Sequence, residues 1–406
     1  MPAPANPVSY AFERVLAEVR AGDHPGNVAD YIPELAKGDP EKFAIAAASV
    51  SGHSYAAGDS TTRFTIQSIS KAFVYALVLA EHGVDAVLTH VGVEPSGQAF
   101  NAISFDEQGR PANPLINAGA IVTTSLIPGT TADERLEHIR QGLSAFAGRE
   151  LHCDETVAAS ESATGDRNRA LAMLARSSGA LVGTVEDTVE AYFRQCSLLV
   201  DAHDLAVMGA TLANDGVNPV TEQQIVPAPV ARDALSLMSS CGMYDHSGQW
   251  LFNVGLPAKS GVAGGIVAVA PGEYGIGVFS PPLDPVGNSA RGVAALRMLS
   301  EEFGLHLFRH PARPVSPVSA IETDPHTATT TMRLRGSLDF VAAEQVAYEA
   351  VGIIDASGSR TLVIQAEDVT EASNVAIMLL HDLLTRARDA GIDIAVIDPD
   401  GVLRRK

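Results

Sequence analysis

From Ala72 to Ala80 the chain is apolar at nearly every position, "AFVYALVLA". A helix with that pattern is buried on all sides, so a core helix is predicted to open near Ser68. Its first turn nevertheless holds Ser68 and Lys71, three residues apart and so stacked on one face. Just upstream, "KFAIAAASV" and "HSYAAGD" flank Ser51-Gly52 and predict a hairpin leading into that helix. A second hairpin is predicted in "GGIVAVAPGEYGIGVFSP", with its turn at Pro271-Gly272-Glu273. Between them, from about Pro114 to Met243, helical periodicity dominates stretches such as "RNRALAMLARSSG" and "VEDTVEAYFRQCSLL". Strands at both ends of a helical block predict an α+β domain, with one antiparallel sheet assembled from distant segments and helices packed beside it.

The pattern breaks at "RHPARPVSPVSAIETDPHTA", which is rich in Pro, Ser and Thr and reads as a linker over 309–328. Beyond it, "TTTMRLRGSLDF" and "RTLVIQAEDV" read as strands, and "NVAIMLLHDLLTRARDAG" as an amphipathic helix closed by Gly391. "IDIAVIDPDG" supplies a further strand. The expected organisation is a domain over 1–308, the linker, and a compact α/β module over 329–406.

Composition narrows the partners. A chain of 406 residues has room for two cores, and its formal charge of −20 repels phosphate backbones and anionic lipid, so neither nucleic acid nor a membrane surface is an expected partner. No apolar run approaches the roughly 18 residues a membrane span needs, and the first residues lack the pattern of a secretion signal. Cys153, Cys196 and Cys241 are odd in number and far apart, as in a reducing compartment, so a cytoplasmic location is expected. With no HExxH, CxxC or Gly-rich phosphate loop, no metal or cofactor is expected.

A lone Ser-x-x-Lys arises by chance about once in a chain of this length. Here the flanking turns are too apolar to give Lys71 easy access to water, and desolvation lowers a lysine pKa toward that of a general base. A neutral Lys71 could then take the proton of Ser68 and make it a nucleophile. Lys259-Ser260-Gly261, entering a predicted strand, has the form of the Lys-Ser/Thr-Gly element that accompanies Ser-x-x-Lys in β-lactamases and penicillin-binding proteins. The strand edge and the helix N-terminus could each offer an N–H to an oxyanion. The third element of those enzymes, Ser-x-Asn or Tyr-x-Asn, is absent from the chain.

The stretches "VADYIPELA", "IQSISK", "NPLINAGAI", "ESATGDRNRALA", "YFRQCS" and "SCGMYDHSGQWLFNVGLPAKSGVAGGI" resemble the serine-dependent glutaminases, in family order over most of Val28 to Pro281. The resemblance implies a β-lactamase-like antiparallel sheet with a helical subdomain. It also implies hydrolysis of L-glutamine to L-glutamate and ammonia through an ester on Ser68. Lys71 matches the base, and Tyr244 matches a tyrosine that relays the proton to ammonia, with a pKa that a charged lysine beside it would lower. The Ser68 and Val262 amides match the oxyanion donors. Tyr31, grouped with the catalytic residues, and Gln67, Asn117, Glu161, Asn168 and Tyr192 match the substrate pocket. Glu161 would meet the ammonium of glutamine, while the asparagines and tyrosines would donate to its carboxylate. Lys259 is either a second cation, keeping Lys71 neutral and orienting Tyr244, or an ion-pair partner. Members are commonly dimers or tetramers, so a homo-oligomer is expected.

The last segment resembles a STAS domain in "MRLRGSLDF" and "VIQAEDVTEASNVAIMLLHDLLTRARDAGIDIAVI". Where regulators of that family carry Asp-Ser-Ser-Gly, this chain has Ala372-Ser373-Asn374-Val375. Phosphorylation at Ser373 is therefore not expected, and a docking or oligomerising role with a possible protein partner is. Two other readings stay open at this point: a β-lactamase- or peptidase-type serine hydrolase, and a non-enzymatic regulator that senses amino acids.

Overall fold

A computed structural model describes residues 7–96, 105–309, 316–356, 360–389 and 391–404. The chain divides into two units, Met1–Arg309 and His310–Lys406.

In the first unit β1 (Ala44–Ser49) and β2 (Ser54–Gly58) form the hairpin around Ser51-Gly52. The two-residue strands β3 (Phe64–Thr65) and β4 (Leu199–Val200) pair with each other. The remaining strands are β5 (Ala258–Ser260), β6 (Gly265–Ala270) and β7 (Tyr274–Phe279). Five strands form one antiparallel sheet in the order β2-β1-β7-β6-β5. Ala46 on β1 lies opposite Gly277 on β7, so the sheet joins segments that are far apart in the chain, as expected. The helices are α1 (Pro7–Ala21), α2 (Ser70–His82), α3 (Val84–Leu88), α4 (Asn117–Leu126), α5 (Ala132–Ala147), α6 (Glu155–Ala163) and α7 (Asp166–Ser177). They continue with α8 (Val185–Cys196), α9 (Ala202–Ala213), α10 (Ala228–Cys241), α11 (Ser247–Asn253) and α12 (Ala290–Phe303).

Both faces of the sheet are covered, which is why β1 reads as an unbroken apolar run rather than an alternation. Ala44, Ala46 and Ala48 pack into the core shared with α2, α4, α8 and α9, while Ile45 and Ala47 face Phe12, Val15 and Leu16 of α1 and Leu296 and Leu299 of α12. The α9 backbone lies directly on β7. A methyl at Gly277 would come within 2.2 Å of the Ala202 carbonyl oxygen, so only glycine permits that approach.

The buried helix takes the place its pattern predicts: α2 is buried from Ser70 to Ala76 and ends at Gly83, whose φ of 78° needs glycine. It starts later than expected, because Gln67–Ile69 form a separate tight turn, tied down by the Ile66 N–H to the Leu198 carbonyl.

The second unit is a four-stranded sheet in the order β11-β10-β9-β8 with two helices against it. β8 is Val318–Asp324, β9 Thr329–Leu338, β10 Thr361–Ala372 and β11 Asp393–Ile397; the helices are α13 (Phe340–Ala356) and α14 (Asn374–Asp389). β10 runs parallel to β9 and β11, and β8 is antiparallel to β9. Ser373 caps α14 by accepting the Ala376 N–H.

The linker expected over 309–328 is corrected here. Residues 310–315 lie outside the described residues, but Val318–Asp324 is strand β8. It is a bulged edge strand with a largely exposed polar face, so it lacks the alternation that marks a strand in sequence. No helix among the described residues is long and apolar enough to cross a membrane.

Candidate active site

The turn that carries Ser68 is strained. Gln67, immediately before it, has φ 50°, a left-handed conformation that costs a residue with a side chain about 1–2 kcal/mol. Two side-chain contacts brace it: Gln67 Nε2 donates to Thr65 Oγ1 at 3.2 Å, and the same amide side chain hydrogen-bonds Glu161. Chain from β5 presses against this turn, since a methyl at Gly261 would lie 2.9 Å from the Ile66 carbonyl oxygen. The next residue, Val262, is thereby brought beside Ser68, and both line one cavity. Neither the Ser68 nor the Val262 N–H makes a backbone hydrogen bond among the described residues, so both are available to an oxyanion.

That cavity, of about 190 Å³, has Tyr31, Gln67, Ser68, Asn117, Glu161, Asn168, Tyr192 and Val262 in its wall. The N-terminus of α4 supplies Asn117, the end of α6 supplies Glu161, α7 supplies Asn168 and α8 supplies Tyr192. Tyr31 is 53% exposed and forms the outer wall; desolvation of its inward part first, and the nearby Tyr244 and Glu161 second, raise its pKa. The wall also includes Ile32, Thr164, Gly165, Arg167 and Cys196, which the residue-by-residue reading did not single out. All five sit inside the family-like stretches, Ile32 in "VADYIPELA", Thr164, Gly165 and Arg167 in "ESATGDRNRALA" and Cys196 in "YFRQCS". Position alone could have drawn attention to them.

Lys71 is fully buried, and desolvation lowers its pKa from 10.5 to about 8, against the opposing pull of Cys196 and Glu161. Its Nζ donates to Asn117 Oδ1 at 2.7 Å, and Asn117 Nδ2 donates to Asn168 Oδ1 at 2.9 Å. The Lys71 amine is thus tied to the cavity wall through two amides. Glu161 is buried as well, and desolvation raises its carboxyl from 4.5 to about 8, against the Gln67 hydrogen bond and the charge of Lys71. Its Oε2 has no hydrogen-bond partner. A buried carboxylate oxygen left unpaired on a cavity wall is costly unless a cationic ligand completes it.

Tyr244, also in a left-handed conformation (φ 58°), is hydrogen-bonded through its side chain to Ser68, and its hydroxyl donates to the Ser260 carbonyl at 3.4 Å. The lowered phenol pKa expected beside a lysine is not what the structure gives. Burial raises it, and the bonds to Ser68 and Ser260 only partly offset that rise. Lys259 Nζ sits 4.1 Å from the centroid of the Tyr244 ring, over its face, and donates at 2.8 Å to the Ser260 carbonyl that also accepts from the phenol. No carboxylate pairs with Lys259 among the described residues. Its pKa is lowered by burial first and by repulsion from Lys71 second, and that repulsion disfavours a proton on both amines at once.

One small cavity therefore holds a serine hydroxyl, two free N–H groups and a carboxyl with one unpartnered oxygen, with a phenol in contact with the serine and a desolvated amine tied to the wall through Asn117. These are the parts of an acyl-transfer site for an ammonium-bearing substrate.

Comparison with known proteins places this geometry. The glutaminase family model matches residues 26–308, and the STAS domain model matches 320–406. A glutaminase of Corynebacterium glutamicum is 44% identical over 400 residues, spanning 98% of this chain and 95% of its own length. One from Trichormus variabilis is 54% identical over 284 residues, 70% of this chain and 85% of its own. Among solved structures, the crystal structure of Mglu superposes with a TM-score of 0.86 at 41% identity, covering 98% of this chain and 99% of its own. A probable glutaminase from Bacillus subtilis, complexed with 6-diazo-5-oxo-L-norleucine, superposes with a TM-score of 0.69 at 35% identity, covering 76% of this chain and 99% of its own. The chain belongs to the glutaminase family, with a STAS domain at its C-terminal end.

Proposed function

We propose that this protein hydrolyses L-glutamine to L-glutamate and ammonia by covalent catalysis at Ser68. The observation that carries the reading is the pair of groups on the wall of one cavity, Ser68 and the unpartnered Glu161 Oε2, with the buried Lys71 amine tied to that wall through Asn117. Glu161 receives the substrate ammonium. Asn168 and the tyrosine hydroxyls hold the α-carboxylate, and the side-chain amide reaches Ser68.

Neutral Lys71 takes the Ser68 proton as Oγ attacks the amide carbon. The oxyanion is met by the Ser68 and Val262 N–H groups, and Tyr244, touching Ser68, passes a proton to the leaving nitrogen. Ammonia departs, leaving the glutamyl ester; water then attacks it, its proton going to the Tyr244 phenolate while the proton held by Lys71 returns to Ser68 Oγ, giving glutamate. A phenol whose pKa is raised keeps its proton at neutral pH, which suits it to donate. The test is ammonia release with glutamine and asparagine side by side. Release from glutamine with little from asparagine supports the reading, and binding of glutamine without release would leave a sensor in its place.

The acid limb of the rate profile follows from two groups. Productive binding needs Glu161 ionised and catalysis needs Lys71 neutral, and both titrate at about 8 in the empty site. Below that pH the active form requires loss of both protons, so log kcat/KM is expected to rise toward pH 8 with a slope approaching two. Initial rates across pH at low glutamine check this. A slope of one would mean that a single ionisation controls the free enzyme.

Lys259 acts here by holding the Tyr244 ring in place. Lys259→Met keeps the stem and removes the amine, and is expected to lower kcat about tenfold, the scale of one desolvated contact between an amine and an aromatic face, with KM little changed. Full kcat in steady-state assays would reduce Lys259 to packing.

The C-terminal unit exposes Val341, Tyr348 and Val351 along one stripe of α13. Such a stripe supports the docking role expected of that unit.

A further inference from the structure

Three buried polar side chains that have no part in the chemistry converge on the nucleophile turn. Ser70 Oγ donates to the carbonyl of Gln67 at 2.8 Å. Gln195 Nε2 donates to Ser70 Oγ at 3.0 Å, and the Thr124 hydroxyl has two acceptors for its one proton, Gln195 Oε1 at 3.0 Å and the Ala120 carbonyl at 2.9 Å. Ser70, Gln195 and Thr124 are each fully buried. We infer that the Thr124–Gln195–Ser70 chain is a positioning relay that holds Gln67 in its left-handed conformation, and through it aims the hydroxyl and N–H of Ser68 at the substrate.

The direction of each bond supports this. Ser70 has one proton, and giving it to the Gln67 carbonyl requires that its lone pairs be satisfied by donors. Gln195 Nε2 is such a donor. Gln195 in turn has its oxygen turned toward the Thr124 hydroxyl, which it shares with the Ala120 carbonyl. The chain thus fixes which way the Ser70 proton points, and so fixes the carbonyl of the one strained residue in the turn.

Location supports it too. The three residues come from α2, α4 and α8, and those helices also supply Lys71, Asn117 and Tyr192. Apolar side chains could fill this part of the core without the desolvation cost of three polar groups. The polar choice is explained if the backbone at Gln67 needs a specific anchor.

The relay rests on the proposed role of Ser68, and its test separates the two. Ser70→Ala removes the hydroxyl anchor and leaves the Ser70 N–H on the Gln67 carbonyl, and Ser70→Thr restores the hydroxyl. Each is assayed for glutamine kcat and KM and for thermal unfolding, beside the wild type and Ser68→Ala. If the wild type hydrolyses glutamine and Ser68→Ala does not, the nucleophile stands, and the relay is judged on the other variants. The expected result is a fall in kcat of about 10- to 100-fold for Ser70→Ala, the scale of a misaimed reacting group, with KM within about twofold and most of the loss recovered in Ser70→Thr. Thr124→Val, which cuts the chain at its far end, is expected to lower kcat about threefold and keeps the test open if Ser70→Ala fails to fold. A kcat within twofold of wild type in Ser70→Ala, or in Thr124→Val should it be the only variant to fold, overturns the relay.

Discussion

Ser68→Ala is expected to lower kcat for glutamine by about 10⁴-fold or more, because the variant loses the covalent route and keeps only the binding groups and oxyanion donors. Thermal unfolding should change little, since the side chain lost is a single hydroxyl at the edge of a cavity. Lys71→Met is expected to cost about 10²- to 10⁴-fold, the range for a positioned general base. It should do so without unfolding the protein, because methionine fills the buried volume and removes an amine that burial already disfavours. Initial-rate ammonia release with melting curves for the two variants checks both statements. Retention of a tenth of the activity in Ser68→Ala would refute the covalent route.

The second large effect pairs a loss with a gain. Glu161→Gln keeps the shape of the wall but removes the charge that meets the substrate ammonium. Losing one partner of a buried charge pair costs about 2–5 kcal/mol, so kcat/KM should fall by roughly 30-fold to several thousand-fold, mostly through KM. The free variant should nevertheless be more stable than the wild type at alkaline pH. The folded carboxyl keeps its proton to about 8 while the unfolded one releases it near 4.5. Between those values the folded state binds the extra proton, so its stability falls as pH rises through that window, and the penalty is complete above pH 8. Glutamine carries no such charge, and the variant's advantage should therefore grow from pH 4.5 to pH 8. Melting curves at several pH values, set beside the kinetics, show whether a binding charge is bought with stability. An equal or lower melting temperature at pH 9 would mean that Glu161 is satisfied in the free protein.

Much of this was legible in the sequence, for physical reasons that can be named. The α2 pattern exposed a buried helix with an amine in its first turn, and the two hairpins followed from short apolar runs around turn residues. The gathering of Asn117, Glu161, Asn168 and Tyr192 on one wall was not derivable from spacing, because they sit on four helices whose packing no local pattern encodes. It came from the family resemblance. The strain at Gln67 and Tyr244 was invisible, since neither is a residue type that marks a left-handed position. The raised pKa of Tyr244 was missed because burial of the phenol, its largest cause, comes from tertiary packing that no local pattern encodes. In the C-terminal unit, β8 was hidden by its bulge and exposed edge, and α13 by apolar residues that spread around the helix rather than along one stripe.

The central claim is an ester on Ser68 that forgets which leaving group produced it. Hydroxylamine competes with water for such an ester, so the ratio of γ-glutamyl hydroxamate to glutamate reports the intermediate directly. With glutamine and a γ-glutamyl anilide as alternative substrates at one hydroxylamine concentration, the two ratios should be the same, and both products should vanish in Ser68→Ala. Ratios that differ between the two substrates would contradict a common ester and point to direct attack of water on the amide.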